Sequence, residues 1–354
     1  MGKTYKHRYT ETYNGVRIDV KANTQKELME KVAAKREQIA RQSISPSTTL
    51  EVFTKRYLET YKRNTVSSSW YCDLQEIAFK KIVPGIGNKP VGKIKPLEIQ
   101  DFLNETSNLS ASYIKKIYSL VCQIFKYAYK NGMTPRDYTV DLERPKGKKG
   151  VTGRSLTERE REALLAVLPS HRGNLFCKLM LYCGLRPGEV SALIWKDIDF
   201  KNAIIDINKA RKRDGSVGEP KSADGIRKVP IPNIFLPELK ENAKEPFYLV
   251  CPQTNGNPHT QTSIRTMWNN VKREMNIFMG CRVVRNQLVP PLPLNEDFKI
   301  YYLRHTYCTD LEKKGVPINI ARQLMGHSDI SITSKIYTHA SVESLTIARD
   351  LINS

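Results

Sequence analysis

The chain has 354 residues, enough for two or three domains with a sizeable core, and its 57 Lys and Arg against 36 Asp and Glu leave a formal charge of +21. Such a surplus points to a polyanionic partner, most simply nucleic acid. Seven cysteines, an odd number without a Cys-x-x-Cys pair, suggest neither a disulfide framework nor a zinc site. The first fifteen residues lack an apolar signal core, and no segment approaches the length of a membrane span, so a soluble, cytosolic protein is expected.

In chain order, Lys6–Tyr13 and Val16–Lys21 alternate around Asn14-Gly15, a strong hairpin signal. Thr24 and Glu27 have capping-box spacing and predict a helix to about Arg41. Ser43–Thr49 reads as a linker, and Thr48 with Glu51 predicts the next helix start. Four helices are expected between Leu50 and Leu142. The first holds Phe53, Tyr57, Leu58 and Tyr61. The second runs from Ser67 to about Ile82 and is broken by Pro84-Gly85-Ile86-Gly87, and the third runs from Pro96 to near Glu105. The fourth is capped by Ser110, carries Ile114, Ile117, Val121, Ile124 and Ala128 at helical spacing, and closes at Gly132. Glu143–Arg154 is basic and glycine-rich. It reads as an interdomain strap whose Lys146, Lys148, Lys149 and Arg154 are suited to lie along phosphates.

Beyond it, Thr157 and Glu160 form a third capping-box pattern, with a helix to about Leu168. Leu175–Cys183 is apolar nearly all round, so it should be buried. It ends at Gly184, ahead of Leu185-Arg186-Pro187-Gly188-Glu189. Ile194–Asp199, Ala203–Lys209 and Arg227–Ile231 alternate like strands. Leu236–Asn295 is less informative: a short strand at Phe247–Val250, a helix from Thr262 to about Met275, a rigid spacer from Val289 to Leu294, and a His259 without an assigned role. Three short helices follow: Leu303–Lys314 stopping at Gly315, a second opening at Pro317 and ending near Gly326, and a third over Ser331–Tyr337. Ile318, Ala321, Leu324 and Met325 supply a buried face. Ser341–Ser354 reads as a helix that could dock on a neighbouring protomer.

Cutting a phosphodiester without a metal needs a nucleophile, cationic clamps for the non-bridging oxygens and an acid for the leaving oxygen. Tyr337, Arg304 and His327 are candidates for the first two roles. A phenol ordinarily titrates near about 10, so it must lose its proton in place. Arginine suits the clamp because its planar fork stays charged and can hold two phosphate oxygens.

Leu303-Arg304-His305-Thr306, Leu324-Met325-Gly326-His327-Ser328 and Ile336-Tyr337-Thr338-His339 occur in that order, with the Arg186 box upstream. Together they resemble the signature of tyrosine recombinases, the phage-integrase family. The separation of ten residues between His327 and Tyr337 is one of that family's usual spacings. The resemblance implies a multidomain chain, mainly α with small β elements. Residues 1–42 would be an arm-type DNA-binding domain (sheet plus helix, with Lys6, Arg8 and Arg17 toward DNA) and 47–142 a helical, SAM-like core-binding domain. Residues 143–154 would be a basic linker and 155–354 a mixed α+β catalytic domain.

It also implies roles. Tyr337 attacks a DNA phosphate to form a 3′-phosphotyrosine, and Arg186, Arg304 and His327 stabilise the developing charge. Lys221, in Pro220-Lys221-Ser222-Ala223-Asp224, protonates the leaving 5′ oxygen, with Lys209 and Lys212 as fallback candidates. No metal or other cofactor is implied. The implied partners are double-stranded attachment sites of core and arm type, a homotetramer in the synapse, and accessory bending and excision proteins. The setting is a phage or conjugative element on DNA in a bacterial cytoplasm, with no membrane. The chain departs from the pattern at Tyr301, where the family usually has a His three residues before the second Arg. The proton acceptor is therefore open between water, another group and a slow enzyme. The rivals are a DNA-binding protein of the same fold that has lost its chemistry, and an RNA-binding or topoisomerase-like enzyme.

Overall fold

In a computed structural model of the chain, the structure describes residues 6–13, 16–42, 45–148, 150, 153–220, 223–295 and 297–327. The chain divides into two compact units, Met1–Val151 and Thr152–Ser354, with the division inside the basic stretch. The architecture is mainly helical with small antiparallel sheets.

In the first unit, β1 (His7–Tyr13) pairs antiparallel with β2 (Val16–Ala22), from His7 opposite Ala22 to Tyr13 opposite Val16. The Asn14-Gly15 turn lies outside the described residues. Strand alternation buries Ile18 and Ala22 with Leu28 and Val32 of α1 (Gln25–Gln42), and turns Arg8 and Arg17 outward. The Thr24 hydroxyl accepts the Glu27 N–H at 3.2 Å, as the capping pattern predicts. The Glu27 carboxylate reaches back to the Asn23 N–H instead of closing the box on Thr24.

Helix α2 (Leu50–Tyr61) starts one residue later than the Thr48 pattern predicts: its N-cap is Thr49. The cause is tertiary. The Leu50 N–H donates to the Lys89 carbonyl and the Val91 N–H to the Thr48 carbonyl, so Thr48 is held in a short ladder and its hydroxyl accepts the Ser45 N–H. Helix α3 (Ser68–Ile77), capped by Ser67, leads into a helical run that passes Pro84 and ends at Ile86, within the expected breaking stretch Pro84-Gly85-Ile86-Gly87. A π-turn over Ala78–Ile82 passes the chain into α4 (Val83–Ile86), and Pro84 falls in the first turn of that segment, where a missing N–H costs little.

Helix α5 (Pro96–Glu105) and α6 (Ala111–Lys130, N-cap Ser110) follow as predicted. Ile114, Ile117, Val121, Ile124 and Ala128 are fully buried, and the last four share the core with Phe53, Tyr57 and Leu103. The first half of the basic stretch is sewn to this bundle. Glu143 N–H donates to Gln100 Oε1 at 2.8 Å, and Lys148 lies beside the start of α6, giving its N–H to Leu109 and accepting that of Ala111.

In the second unit, the Thr157–Glu160 capping box forms at the start of α7 (Glu158–Val167). Helix α8 (Asn174–Tyr182) buries Phe176, Cys177, Leu179, Met180 and Leu181 completely or nearly so. Helix α9 (Pro187–Ala192) then leads to β3 (Ile198–Asp199), β4 (Ile204–Ile207), the hairpin β5 (Ala210–Arg211) and β6 (Val217–Gly218), and β7 (Arg227–Pro230). Strands β3, β4 and β7 form one antiparallel sheet in that order. The expected strand from Ile194 is shortened because the Asp197 carboxylate accepts the Ile194 N–H and folds Trp195–Asp197 into a 3-10 turn. The expected Phe247–Val250 strand reduces to a bridge between Leu249 and Ile194. After α10 (Leu236–Glu241), α11 spans Gln261–Phe278, longer than the pattern predicts. A hairpin of β8 (Val283–Val284) and β9 (Gln287–Leu288) was not foreseen. Helices α12 (Tyr301–Lys313) and α13 (Ile318–Met325) close the described chain. Ala321 and Met325 are buried on the predicted face, whereas Ile318 and Leu324 are only partly covered. The predicted Ser331–Tyr337 helix and the tail lie outside the described residues. Among those residues no helix is long and apolar enough to cross a membrane.

Candidate active site

Arg186 owes its position to two local devices. Gly184, at φ +65°, ends α8 against the Tyr307 ring, where a Cβ would collide. Arg186 itself is the extended N-cap of α9, with Pro187 in the first turn. Glu189 closes the cap: its carboxylate accepts the Arg186 N–H at 2.7 Å and Arg186 Nη1 at 2.8 Å. The same carboxylate receives two bonds of 2.9 Å from Arg227 on β7. Burial by itself would raise Glu189. The hydrogen bonds and charge of Arg227, with the charges of Arg304 and Arg186, outweigh it and hold the carboxyl at about 2.

The C-terminus of α13 assembles the rest. Gly326, at φ +62°, allows a Schellman closure in which the His327 N–H reaches the Arg322 carbonyl and the Gly326 N–H that of Gln323. The next three carbonyls, which a helix end leaves unpaired, are each taken by a different arginine. Leu324 accepts from Arg227 Nε at 2.7 Å, Met325 from Arg304 Nη2, and Gly326 from Arg186 Nη2 at 2.6 Å. Arg304, 3% exposed on α12, also gives Nη1 to the Gly184 carbonyl. Cations at a helix C-terminus complement its dipole as well as its carbonyls.

Three guanidiniums against one carboxylate leave this cluster positive. Burial, then the charges of Arg304, Arg186 and Arg227, push His327 down to about 4, so at neutral pH its ring is uncharged and can still donate one N–H. Burial and then Arg186 also lower the Arg304 guanidinium, whose ordinary value is high enough that it stays charged. Arg186, Tyr301 and His327 line one open cleft of 1220 Å³. Tyr301, 48% exposed at the first position of α12, lies three residues before Arg304. The cleft is also lined by Gln261, Arg265, Asn269 and Lys272 of α11, with His259 just ahead of that helix. His259 Nδ1 lies 3.0 Å from Ser263 Oγ, and burial, with Arg211 nearby, lowers its ring as well.

The structure therefore brings Arg186, Arg304, His327 and Tyr301 together. Tyr337, Lys221 and Lys149 lie outside the described residues. Lys209 is engaged by Asp197 at 2.6 Å, whereas Lys212 sits in the β5–β6 loop and lines the cleft. Arg154 gives both Nη atoms to Glu160 at 2.6 Å and stacks 5.1 Å from the Tyr302 ring centroid, a committed contact within its own unit. Arg8 pairs with Asp19, while Lys6, Arg17, Lys146 and Lys148 are exposed. Sequence reasoning missed Arg227. The signal was present: Arg227 alternates with Val229 on the buried face of β7, and an inward arginine requires a buried acid.

Comparison with known proteins agrees with this architecture. The model of the phage integrase family matches residues 154–344, and that of the N-terminal SAM-like domain of phage integrases matches residues 49–107. A XerC-like tyrosine recombinase of Caldanaerobacter subterraneus is 27% identical over 282 residues, covering 73% of this chain and 71% of its own. The transposase of transposon Tn916 from Enterococcus faecalis is 26% identical over 206 residues, 53% of this chain and 48% of its own. Among solved structures, the Tn1549 transposon integrase in complex with a circular intermediate DNA aligns with TM-score 0.67 at 20% identity, over 86% of this chain and all of that one. A lambda integrase dimer bound to a COC′ core site aligns with TM-score 0.61 at 17% identity, over 93% of this chain and 91% of that one. These two share the fold. The chain is thus a site-specific recombinase of the tyrosine class. Within that class it belongs to the phage integrase family.

Proposed function

We propose that the chain integrates or excises a mobile element by cutting and rejoining DNA through a 3′-phosphotyrosine intermediate. One observation carries the reading: Arg186 and Arg304, 118 residues apart (304 − 186), converge on consecutive carbonyls of the turn that presents His327 to a positively charged cleft. A phosphodiester entering there finds guanidinium N–H groups and a neutral imidazole N–H for its non-bridging oxygens. The Tyr337 oxygen attacks phosphorus, the bond to the 5′ oxygen breaks, and Lys221 gives that oxygen its proton. A 5′ hydroxyl of another strand then attacks the phosphotyrosine and releases Tyr337. The bond energy is kept in the covalent link, so the reaction needs no cofactor. Tyr301 lines the cleft, where its phenol can donate or accept a hydrogen bond. The phenol proton of Tyr337 leaves to water or to another group, or cleavage is slow, because Tyr301 stands where the family usually has a His.

The same reading assigns residues 1–42 to arm-type sites, 47–142 to core-type sites and 155–354 to catalysis, joined by the basic stretch 143–154. Exposed Lys6, Arg17, Lys146 and Lys148, with Arg8 and Lys149, serve phosphates and so add affinity without sequence preference. Arg154 joins them only if its bond to Glu160 opens. Four protomers act on two sites in the bacterial cytoplasm, with DNA-bending and excision proteins setting direction. Two structures of the same fold, a transposon integrase on circular intermediate DNA and lambda integrase on a core site, support duplex DNA as the partner.

The test is covalent trapping on a nicked duplex carrying the core sequence that the chain selects from a random library, beside Tyr337→Phe. An SDS-resistant, protease-sensitive band absent from the variant is expected. Binding without attachment would overturn the reading in favour of a DNA-binding protein of this fold, the rival that Tyr301 favours. Relaxation of supercoiled plasmid without exchange would favour a topoisomerase.

A further inference from the structure

Arg227 is buried, as Arg304 is, and does not line the cleft. All three nitrogens of its fork are engaged, on three elements at once. Nη1 and Nη2 hold Glu189 on α9, Nε holds the Leu324 carbonyl at the end of α13, and Nη1 also holds the Gly225 carbonyl ahead of β7. Glu189 is the group that orients Arg186, and Leu324 begins the run of three arginine-bound carbonyls that ends at Gly326, next to His327. A second observation fixes the same junction. A Cβ on Gly326 would stand 3.0 Å from Arg227 Nη1 and 2.9 Å from the Asp224 carbonyl, so the turn is packed directly on this side chain.

From this geometry we propose that Arg227 is a positioning residue for strand cleavage: it sets the α13 turn and the Glu189 carboxylate in register, so that Arg186 and His327 face one phosphate. The proposal rests on the cleavage reading above. Arg227 touches no substrate. It acts because one planar, rigid fork can bond a carboxylate and a backbone carbonyl in fixed relation, which a lysine cannot do with a single nitrogen. A purely structural role would be different: neutralising Glu189, whose buried charge would otherwise be left with Arg186 as its one ion-pair partner.

The two roles separate in full-length Arg227→Met, Arg227→Lys, Glu189→Gln and the double variant Glu189→Gln/Arg227→Met. Each is measured for thermal midpoint, affinity for the nicked duplex and rate of covalent attachment at saturating duplex. Arg227→Met leaves a buried carboxylate with only Arg186 to pair it and should lose the most stability, and the double variant should regain most of it. Affinity for the duplex should stay within about threefold throughout, because phosphate contacts elsewhere dominate it. The attachment rate of the double variant should nevertheless remain about 100-fold down, the scale of a misplaced clamp, with Glu189→Gln alone clearly faster and Arg227→Lys in between. A double variant that regains stability and attaches at the wild-type rate overturns the proposal, and Arg227 is then only a neutralising charge. So does Glu189→Gln reproducing the whole loss, or a loss that follows affinity instead of rate. If Arg227→Met does not fold, the double and lysine variants carry the test. A wild-type chain that binds and never attaches overturns the cleavage reading and this proposal with it, whereas an attached wild type with unimpaired variants overturns this proposal alone.

Discussion

Two helices of this chain end on the same residue type, in nearly the same backbone conformation, for different purposes. Helix α6 ends at Gly132, φ +68°, where the Met133 N–H returns to Ala128 and a Cβ would meet nothing within 4 Å. Helix α13 ends at Gly326, φ +62°, where the surroundings are full and the last carbonyls are held by arginines 97, 21 and 140 residues away. The first terminus is local: glycine stops the helix and the chain moves on. The second is a junction, and its glycine serves both the turn and the close approach of Arg227 and the Asp224 carbonyl. A glycine after an amphipathic run therefore announces a helix end, but not whether anything is built on it.

The largest effect that would break this comparison lies at Arg304. Arg304→Lys keeps the charge but cannot reach both Gly184 and Met325, so covalent attachment should fall by about 1000-fold while duplex binding persists. A loss under tenfold would mean that the α13 turn does not depend on this fork. On the α6 side the expectation reverses. Ile124→Ala empties a fully buried site and should cost about 3 kcal/mol of stability by urea titration, with an unchanged attachment rate per folded molecule.

The two glycines give the direct contrast. Gly132→Ala strains only the backbone and should cost about 1 kcal/mol, whereas Gly326→Ala adds the clash and should cost about 3 kcal/mol and slow attachment as well. Equal costs would mean that the α13 junction yields freely. The smallest effect is a slope in acid. His327 sits at about 4 in the fold against about 6.5 unfolded, so between those values the unfolded chain holds a proton the fold does not. Its contribution is present above pH 6.5 and is lost as pH falls toward 4. Glu189, held at about 2, adds a further loss below about 4.5. His327→Gln should flatten the first part of that slope in urea titrations between pH 7 and 4.5, and an unchanged slope would place the titrating group elsewhere.

Much of this could be read in advance. Helices α5 and α6, the capping box at Thr157, the box at Arg186 and the breaks at Gly184, Gly315 and Gly326 depend on short-range spacing and backbone sterics, which a linear sequence displays. Where the reading slipped, a distant partner had intervened. The Lys89–Val91 ladder moved the α2 cap to Thr49, and Asp197 folded away half a strand.

By itself, the sequence determined the helical periodicities, the basic surplus and the ordered motif set around Arg186, Arg304 and His327, because each is a property of residue type and near spacing. Only the tertiary structure decided that Arg227 joins them, that Glu189 is shared by two guanidiniums, and that three arginines terminate α13. The physical reason is that a buried charge or an unpaired carbonyl specifies only that it must be satisfied. Which of the chain's many arginines satisfies it is settled by packing between elements far apart in sequence.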